Sequence, residues 1–168
     1  RQGEVLVRTV SSGVCHSDMH FVDGAWSMPL ACVLGHEASG IVEAVGPDVT
    51  AFSPGDHVIT CLTQFCGLCS ECLAGRIWIC PNRHSLVRGP DEAPRLALDG
   101  RPVLQMAGLG AFAEKMLVHE NAAVKVRDDV PFEQLALIGC GVTPGLGAAL
   151  NTTAVINGQN YQDNYKYT

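Results

Sequence analysis

Apolar and polar positions alternate loosely over residues 4–10, the pattern of a strand, and Ser11-Ser12-Gly13 is expected to close it with a turn. Residues 41–45 and 57–61 read as further strands, separated by the turn-forming clusters Gly46-Pro47-Asp48 and Ser53-Pro54-Gly55-Asp56. Residues 82–100 carry little periodicity and read as a long surface loop, after which residues 113–119 and 123–127 again read as extended. Helical signals come late. Asp128-Asp129-Val130-Pro131 can open a short helix through Ile138, since proline is pre-shaped for a first turn and acids suit its positive end. Thr143-Pro144 can start a second one to about Leu150. Short strands with frequent turns point to a barrel or sandwich. No internal repeat is visible, and residues 156–168 change abruptly to a polar, tyrosine-rich tail.

Composition narrows the function. The 168 residues suffice for one ordinary domain, and 47% hydrophobic with 17% charged side chains is a globular balance. A net charge of −6 gives no electrostatic reason to bind a phosphate backbone, so no nucleic-acid partner is expected. No run approaches the ~18 apolar residues of a membrane helix, and Arg1-Gln2-Gly3-Glu4 is not a signal-peptide start. No membrane role is expected, and a soluble, cytoplasmic protein is. The start on a residue other than methionine suggests that an earlier segment is missing. In a reducing compartment, eight cysteines serve more readily as metal ligands or buried thiols than as disulfides.

Four of them, Cys66, Cys69, Cys72 and Cys80, fall within fifteen residues, with Gly67 and Gly75 supplying bends. Such a loop can wrap four sulfurs around one tetrahedral zinc at about 2.3 Å. The first three share a ferredoxin-like spacing, but an iron–sulfur pattern would place its fourth cysteine sooner than Cys80-Pro81, so zinc is favoured. A closed four-sulfur site has no room for substrate and is expected to be structural. Chemistry is expected at a second, open site built from Cys15, His36 and Cys140, each flanked by or near glycine at an expected turn. Two thiolates and one imidazole leave a coordination position free. Singly, each residue reads more readily as a buried thiol or an ordinary histidine than as a ligand.

Together and in this order, Gly13-Val14-Cys15-His16-Ser17-Asp18, Leu34-Gly35-His36-Glu37, the four-cysteine lobe and Gly139-Cys140-Gly141-Val142-Thr143 resemble the catalytic domain of the zinc-dependent medium-chain alcohol dehydrogenases. The resemblance covers about residues 3–153. It implies a mainly β fold with short helices, a GroES-like barrel over residues 1–155 with its zinc lobe at 64–82. It also implies oxidation of an alcohol to an aldehyde or ketone, two zinc ions per chain, and hydride transfer to NAD. Cys15, His36 and Cys140 become catalytic zinc ligands, and Cys66, Cys69, Cys72 and Cys80 structural ones. Glu37 takes the acidic position beside the metal and Asp18 the carboxylate that orients His36. Ser17 becomes the hydroxyl that accepts the substrate proton, and His20 the outer imidazole of that relay. His16 and Thr143 fall at cofactor-contacting positions. Trp26 and Leu62 fall where the substrate pocket is lined, or are plain core. Cys32 and Cys61 read as small buried groups, and His57, His84 and His119 as non-ligands.

The segment from Asn82 to Met106, running into Gly108-Leu109-Gly110, is similar to the longer loop of class I and thiol-adduct formaldehyde-oxidising members. This makes primary alcohols or a thiohemiacetal the leading small-molecule substrates. Pro144 departs from the small residue common there, and that puts the nicotinamide contact in doubt. Gly108-Leu109-Gly110-Ala111-Phe112-Ala113 fits a bare phosphate-loop glycine pattern but lacks the strand-to-helix setting. The family's doubly wound nucleotide-binding domain is therefore expected to be absent from these residues, with the tail a remnant of the family C-terminus. Activity would need that domain, and homo-oligomers would form through it. A non-catalytic zinc module for protein association is the alternative.

Overall fold

The computed structural model describes residues 1–29, 31–89 and 91–152, and its first strand runs further than the alternation predicts. Strand β1 (Glu4–Gly13) continues through Ser11-Ser12-Gly13 instead of turning. Cross-strand pairing is the reason: these three residues lie opposite Ser39, Ala38 and Glu37, and Ser12 Oγ donates to the Glu37 carbonyl at 2.8 Å. Register shifts at Leu6/Val7 and Thr9/Ser11 bend the strand. A second departure follows at once, because helix α1 (His16–Val22) forms where only a turn was expected. The cap explains it. The Cys15 N–H donates to Asp18 Oδ2 at 3.0 Å, so the aspartate three residues on satisfies a donor that the helix leaves orphaned.

Strands β2 (Cys32–Val33), β3 (Glu37–Val45) and β4 (His57–Thr60) precede helix α2 (Ser70–Leu73), which lies inside the cysteine lobe. The stretch expected as plain loop contains a 3-10 turn (Arg83–Leu86) and the first strand of a hairpin, β5 (Leu96–Leu98), which pairs with β6 (Arg101–Gln105) just beyond it. Its two-residue turn has positive φ at Asp99 (50°) and Gly100 (76°), a turn whose twist matches its strands and which Asp-Gly favours. Strands β7 (Lys115–His119) and β8 (Ala123–Lys125) complete a five-stranded antiparallel sheet ordered β7-β1-β3-β4-β8. A smaller sheet runs β2-β6-β5. Val5, Val7, Val42, Val58, Met116 and Val118 face inward from the large sheet, each at most 1% exposed, and Leu109 and Ala111 pack against them.

The chain then turns almost wholly helical. Helix α3 (Phe132–Ala136) starts after Pro131 as expected, passes into a π-helical turn (Ile138–Val142), helix α4 (Thr143–Gly147) and a second π turn (Ala148–Thr152). Ser39 Oγ donates to the Phe132 carbonyl at 2.6 Å and ties α3 to β3. The Gly108-Leu109-Gly110 segment follows β6 through a short 3-10 turn and leads to β7, so no helix stands where a phosphate loop would need one. Among the described residues no helix is long and apolar enough to cross a membrane. The domain boundary expected at 155 and the tail 156–168 lie outside the described residues.

One buried charge organises the middle of the chain. Glu4 is 2% exposed, and its carboxylate accepts from Arg88 Nη2 at 2.6 Å and Arg95 Nε at 2.8 Å. The same guanidiniums reach the carbonyls of Ala93, Leu86 and Gly108, so the segment before β5 is folded around the start of β1. Burial alone would raise the Glu4 carboxyl, but the hydrogen bonds from Arg88, the amino group of Arg1 and Arg95 outweigh it and hold the group far below its ordinary 4.5. Glu4→Gln should cost about 3 kcal/mol at pH 7, since it leaves two guanidiniums short of a buried partner. Because the folded value is depressed, this contribution is complete above the ordinary 4.5 and lost as pH falls through the folded value. Thermal melts of the full-length protein should show the gap between parent and variant at pH 7 narrowing toward pH 2. A constant gap would contradict the clamp.

Candidate metal centres

Within the lobe, Cys69 caps α2 and its Sγ accepts from the Cys72 N–H at 3.5 Å, which folds these two thiols onto one short turn. Cys80 returns to them, its Sγ accepting from the Cys66 N–H at 3.4 Å. The sulfurs stand 3.4 Å (Cys69–Cys72), 3.9 Å (Cys66–Cys72) and 3.9 Å (Cys69–Cys80) apart. Ligands about 2.3 Å from a shared tetrahedral zinc stand about 3.8 Å from one another, so the quartet fits that ion. The backbone N–H of Leu68 leads in bringing the Cys66 thiol down to about 6, while burial and the neighbouring thiols push Cys72 up to about 12. A divalent cation removes that conflict by holding all four as thiolates.

The second cluster is assembled from three places. Cys15 is delivered by the lengthened β1, and His36 sits at the entrance of β3. Cys140 was expected on a turn but lies in the π-helical turn, whose wide bond runs from the Val142 N–H to the Leu137 carbonyl at 3.0 Å. Gly139 is required there, since a Cβ would lie 1.8 Å from the Thr60 carbonyl and lift the turn off β4. One ligand atom from each of Cys15, His36, Glu37 and Cys140 lies within 4.8 Å of the others, and the two sulfurs are 4.0 Å apart. Glu37 therefore belongs to the cluster itself.

His36 is 2% exposed, and neither ring nitrogen has a hydrogen-bond partner. An unpaired buried polar atom is costly, and a metal–nitrogen bond removes the cost. Burial, then the negative charge of Cys15 and Glu37, pushes the Cys140 thiol up to about 12, and a cation bound among these groups would hold it as the thiolate. The residues present thus fit a zinc ion.

Asp18 departs from expectation. Its Oδ1 is 3.7 Å from His36 Nδ1, beyond a hydrogen bond, because its oxygens are engaged by the N–H groups of Cys15 (3.0 Å) and Gly35 (2.9 Å). It anchors the two ligand segments through their backbones. Gly35 has φ +93°, which lets its N–H point at Asp18. Thr60, not foreseen as part of the site, donates through Oγ1 to the His36 carbonyl at 3.0 Å and accepts from the Ala38 N–H at 3.1 Å.

Ser17 is near the cluster, its Oγ 3.7 Å from Cys15 Sγ. His20 lies one turn further along α1 and is half-buried; His16 is exposed. The Thr143 hydroxyl donates to the Ile138 carbonyl at 2.5 Å, so its proton is spent on the helix. Trp26 and Leu62 are 48% and 43% exposed. Cys32 and Cys61, expected to be buried, are each partly exposed; Cys32 lies on β2, an edge of the small sheet. His57 packs on Phe132 and His119 Nδ1 accepts from the Asn121 N–H, both outside the clusters.

The sequence matches the alcohol dehydrogenase GroES-like domain over residues 1–128. It is 41% identical over 160 residues to S-(hydroxymethyl)glutathione dehydrogenase of Paracoccus denitrificans, covering 92% of this chain and 43% of that protein. Alcohol dehydrogenase B of Mycobacterium tuberculosis is 41% identical over 164 residues, covering 95% and 44%. The crystal structure of an alcohol dehydrogenase zinc-binding domain protein from Burkholderia ambifaria superposes with a TM-score of 0.82 at 37% identity, covering 95% of this chain and 44% of that one. The chain thus spans under half the length of these relatives, and the expected mainly β, GroES-like architecture is borne out.

Asp18→Ala should free the Cys15 and Gly35 N–H groups and loosen zinc at the second cluster by about 10–100-fold, leaving the four-cysteine lobe loaded. Competition with a chromophoric chelator reads the two affinities separately. Equal weakening of both clusters would contradict the anchoring role.

Proposed function

Because the chain belongs to the alcohol dehydrogenase GroES-like domain family, we propose that it is the zinc-holding, proton-relaying part of an NAD-dependent alcohol dehydrogenase. The observation that carries this reading is the buried His36 with both nitrogens unpaired inside a cluster of two thiols and a carboxylate. A pure association module needs only the lobe. Cys15, His36 and Cys140 would hold the catalytic zinc, and Cys66, Cys69, Cys72 and Cys80 the structural one. Zinc held in the open cluster supplies a Lewis acid that acidifies an alcohol hydroxyl. NAD, were it bound, would supply the hydride acceptor for the carbinol carbon, which would give an aldehyde or ketone, NADH and one proton.

The chain's own residues manage that proton. Ser17 Oγ, beside Cys15 Sγ, takes it from the substrate hydroxyl, and His20 passes it outward from the next turn of α1. Glu37, 4% exposed among the ligands, balances the ion's charge. His16, at the exposed first turn, is suited to the cofactor's pyrophosphate. The long segment 82–106 and the similarity to an S-(hydroxymethyl)glutathione dehydrogenase favour primary alcohols or a thiohemiacetal as substrates. Six cysteines as zinc ligands, with Cys32 and Cys61 left as thiols, would suit a reducing cytoplasm. The full-length protein should reduce NAD with ethanol, benzyl alcohol, or formaldehyde plus a low-molecular-weight thiol. Cys140→Ala should lower kcat by about 10³-fold or more and remove one of two zinc ions per chain. Turnover surviving in that variant, or unchanged zinc content, would refute the assignment.

A further inference from the structure

The end of α1 carries an aromatic cluster that the relay alone does not account for. After Val22 the chain reverses through Gly24, whose φ is +73°, and the Trp26 N–H donates to the His20 carbonyl at 2.9 Å. The indole is thereby brought back over the last turn of the helix. Its ring centroid lies 4.6 Å from the His20 imidazole at 43°, and Phe21 meets it edge-on at 5.4 Å. His16 meets His20 as well, at 4.6 Å and 85°. Among the described residues, no hydrogen bond fixes either nitrogen of the His20 ring. The ring packs against those of His16 and Trp26.

We propose that Trp26 is a positioning residue for His20, holding the imidazole by ring packing so that both nitrogens stay free to take up and release a proton. This rests on the reading of His20 as the outer end of the relay. A hydrogen bond would fix the ring equally well but would occupy a nitrogen that proton transfer needs. An indole face fixes the plane without occupying either nitrogen, and it tolerates the imidazolium that forms in passing because the face of the ring is electron-rich. His16 is the titratable group facing His20 from its own helix, and Trp26 is uncharged. This role differs from lining a pocket: a liner acts on substrate affinity, a positioner on proton transfer.

Two measurements on the full-length, zinc-loaded protein test it. First, the His20 ring protons, assigned through His20→Gln, should be displaced from ordinary histidine shifts by the indole ring current. Trp26→Leu should return them, and Trp26→Phe should keep part of the displacement. This holds whether or not the protein oxidises alcohols, so its failure is separable from failure of the enzymatic reading. Second, Trp26→Leu should lower kcat for alcohol oxidation about tenfold with KM little changed, and should lower it no further in a His20→Gln background. An undisplaced His20 signal in the parent, losses that multiply in the double variant, or an effect confined to KM would each overturn the proposal.

Discussion

A histidine with both ring nitrogens buried and unpaired is a debt that a folded protein rarely leaves open. His36 carries it at the entrance of β3, with its backbone held by Thr60 below and by the Gly35 N–H on Asp18 above. Everything that shapes the open cluster follows from keeping that ring in place while two thiols approach it. The lengthened β1 brings Cys15, the helix cap aims it, and the π turn lays Cys140 against the end of β4. A metal ion completes the arrangement, and the same ion lets two neighbouring thiols and a carboxylate lie together as anions.

The two clusters differ in how they are built. The lobe is local: fifteen residues contain all four thiols, and their spacing nearly determines their geometry. The open cluster joins residues 125 positions apart, so it exists only when the sheet, α1 and the helical run after α3 have all docked. Loss of the lobe's metal would be expected to loosen a loop. Loss of the open cluster's metal leaves unpaired groups at the junction of three elements.

Much of the candidate site was legible because ligand chemistry is a side-chain property. Cys15, His36, Cys140 and the four lobe thiols come together as their order implied, with Glu37 closer than expected. What the pattern hid was mostly backbone. Ser11-Ser12-Gly13 resembles a turn, and only pairing with β3 makes it strand. Helix α1 is seven residues long with little amphipathic signal, and its cap begins at a cysteine, an unusual capping residue. The Asp99-Gly100 hairpin did carry a local signal, masked by the weak periodicity around it. Glu4 looked like an ordinary strand residue, because its partners Arg88 and Arg95 lie over eighty residues away. Asp18 was expected to orient the imidazole, but its hydrogen bonds go to the backbone N–H groups of Cys15 and Gly35.

X-ray absorption at the zinc edge, recorded on the full-length protein and on a variant whose lobe cysteines are replaced by serine, would reveal whether Cys15, His36 and Cys140 share one metal ion. The ion left in the variant should be bound by two sulfurs at about 2.3 Å and one imidazole nitrogen at about 2.0 Å. Zinc absent from a variant that still folds, or surrounded by oxygen alone, would contradict it.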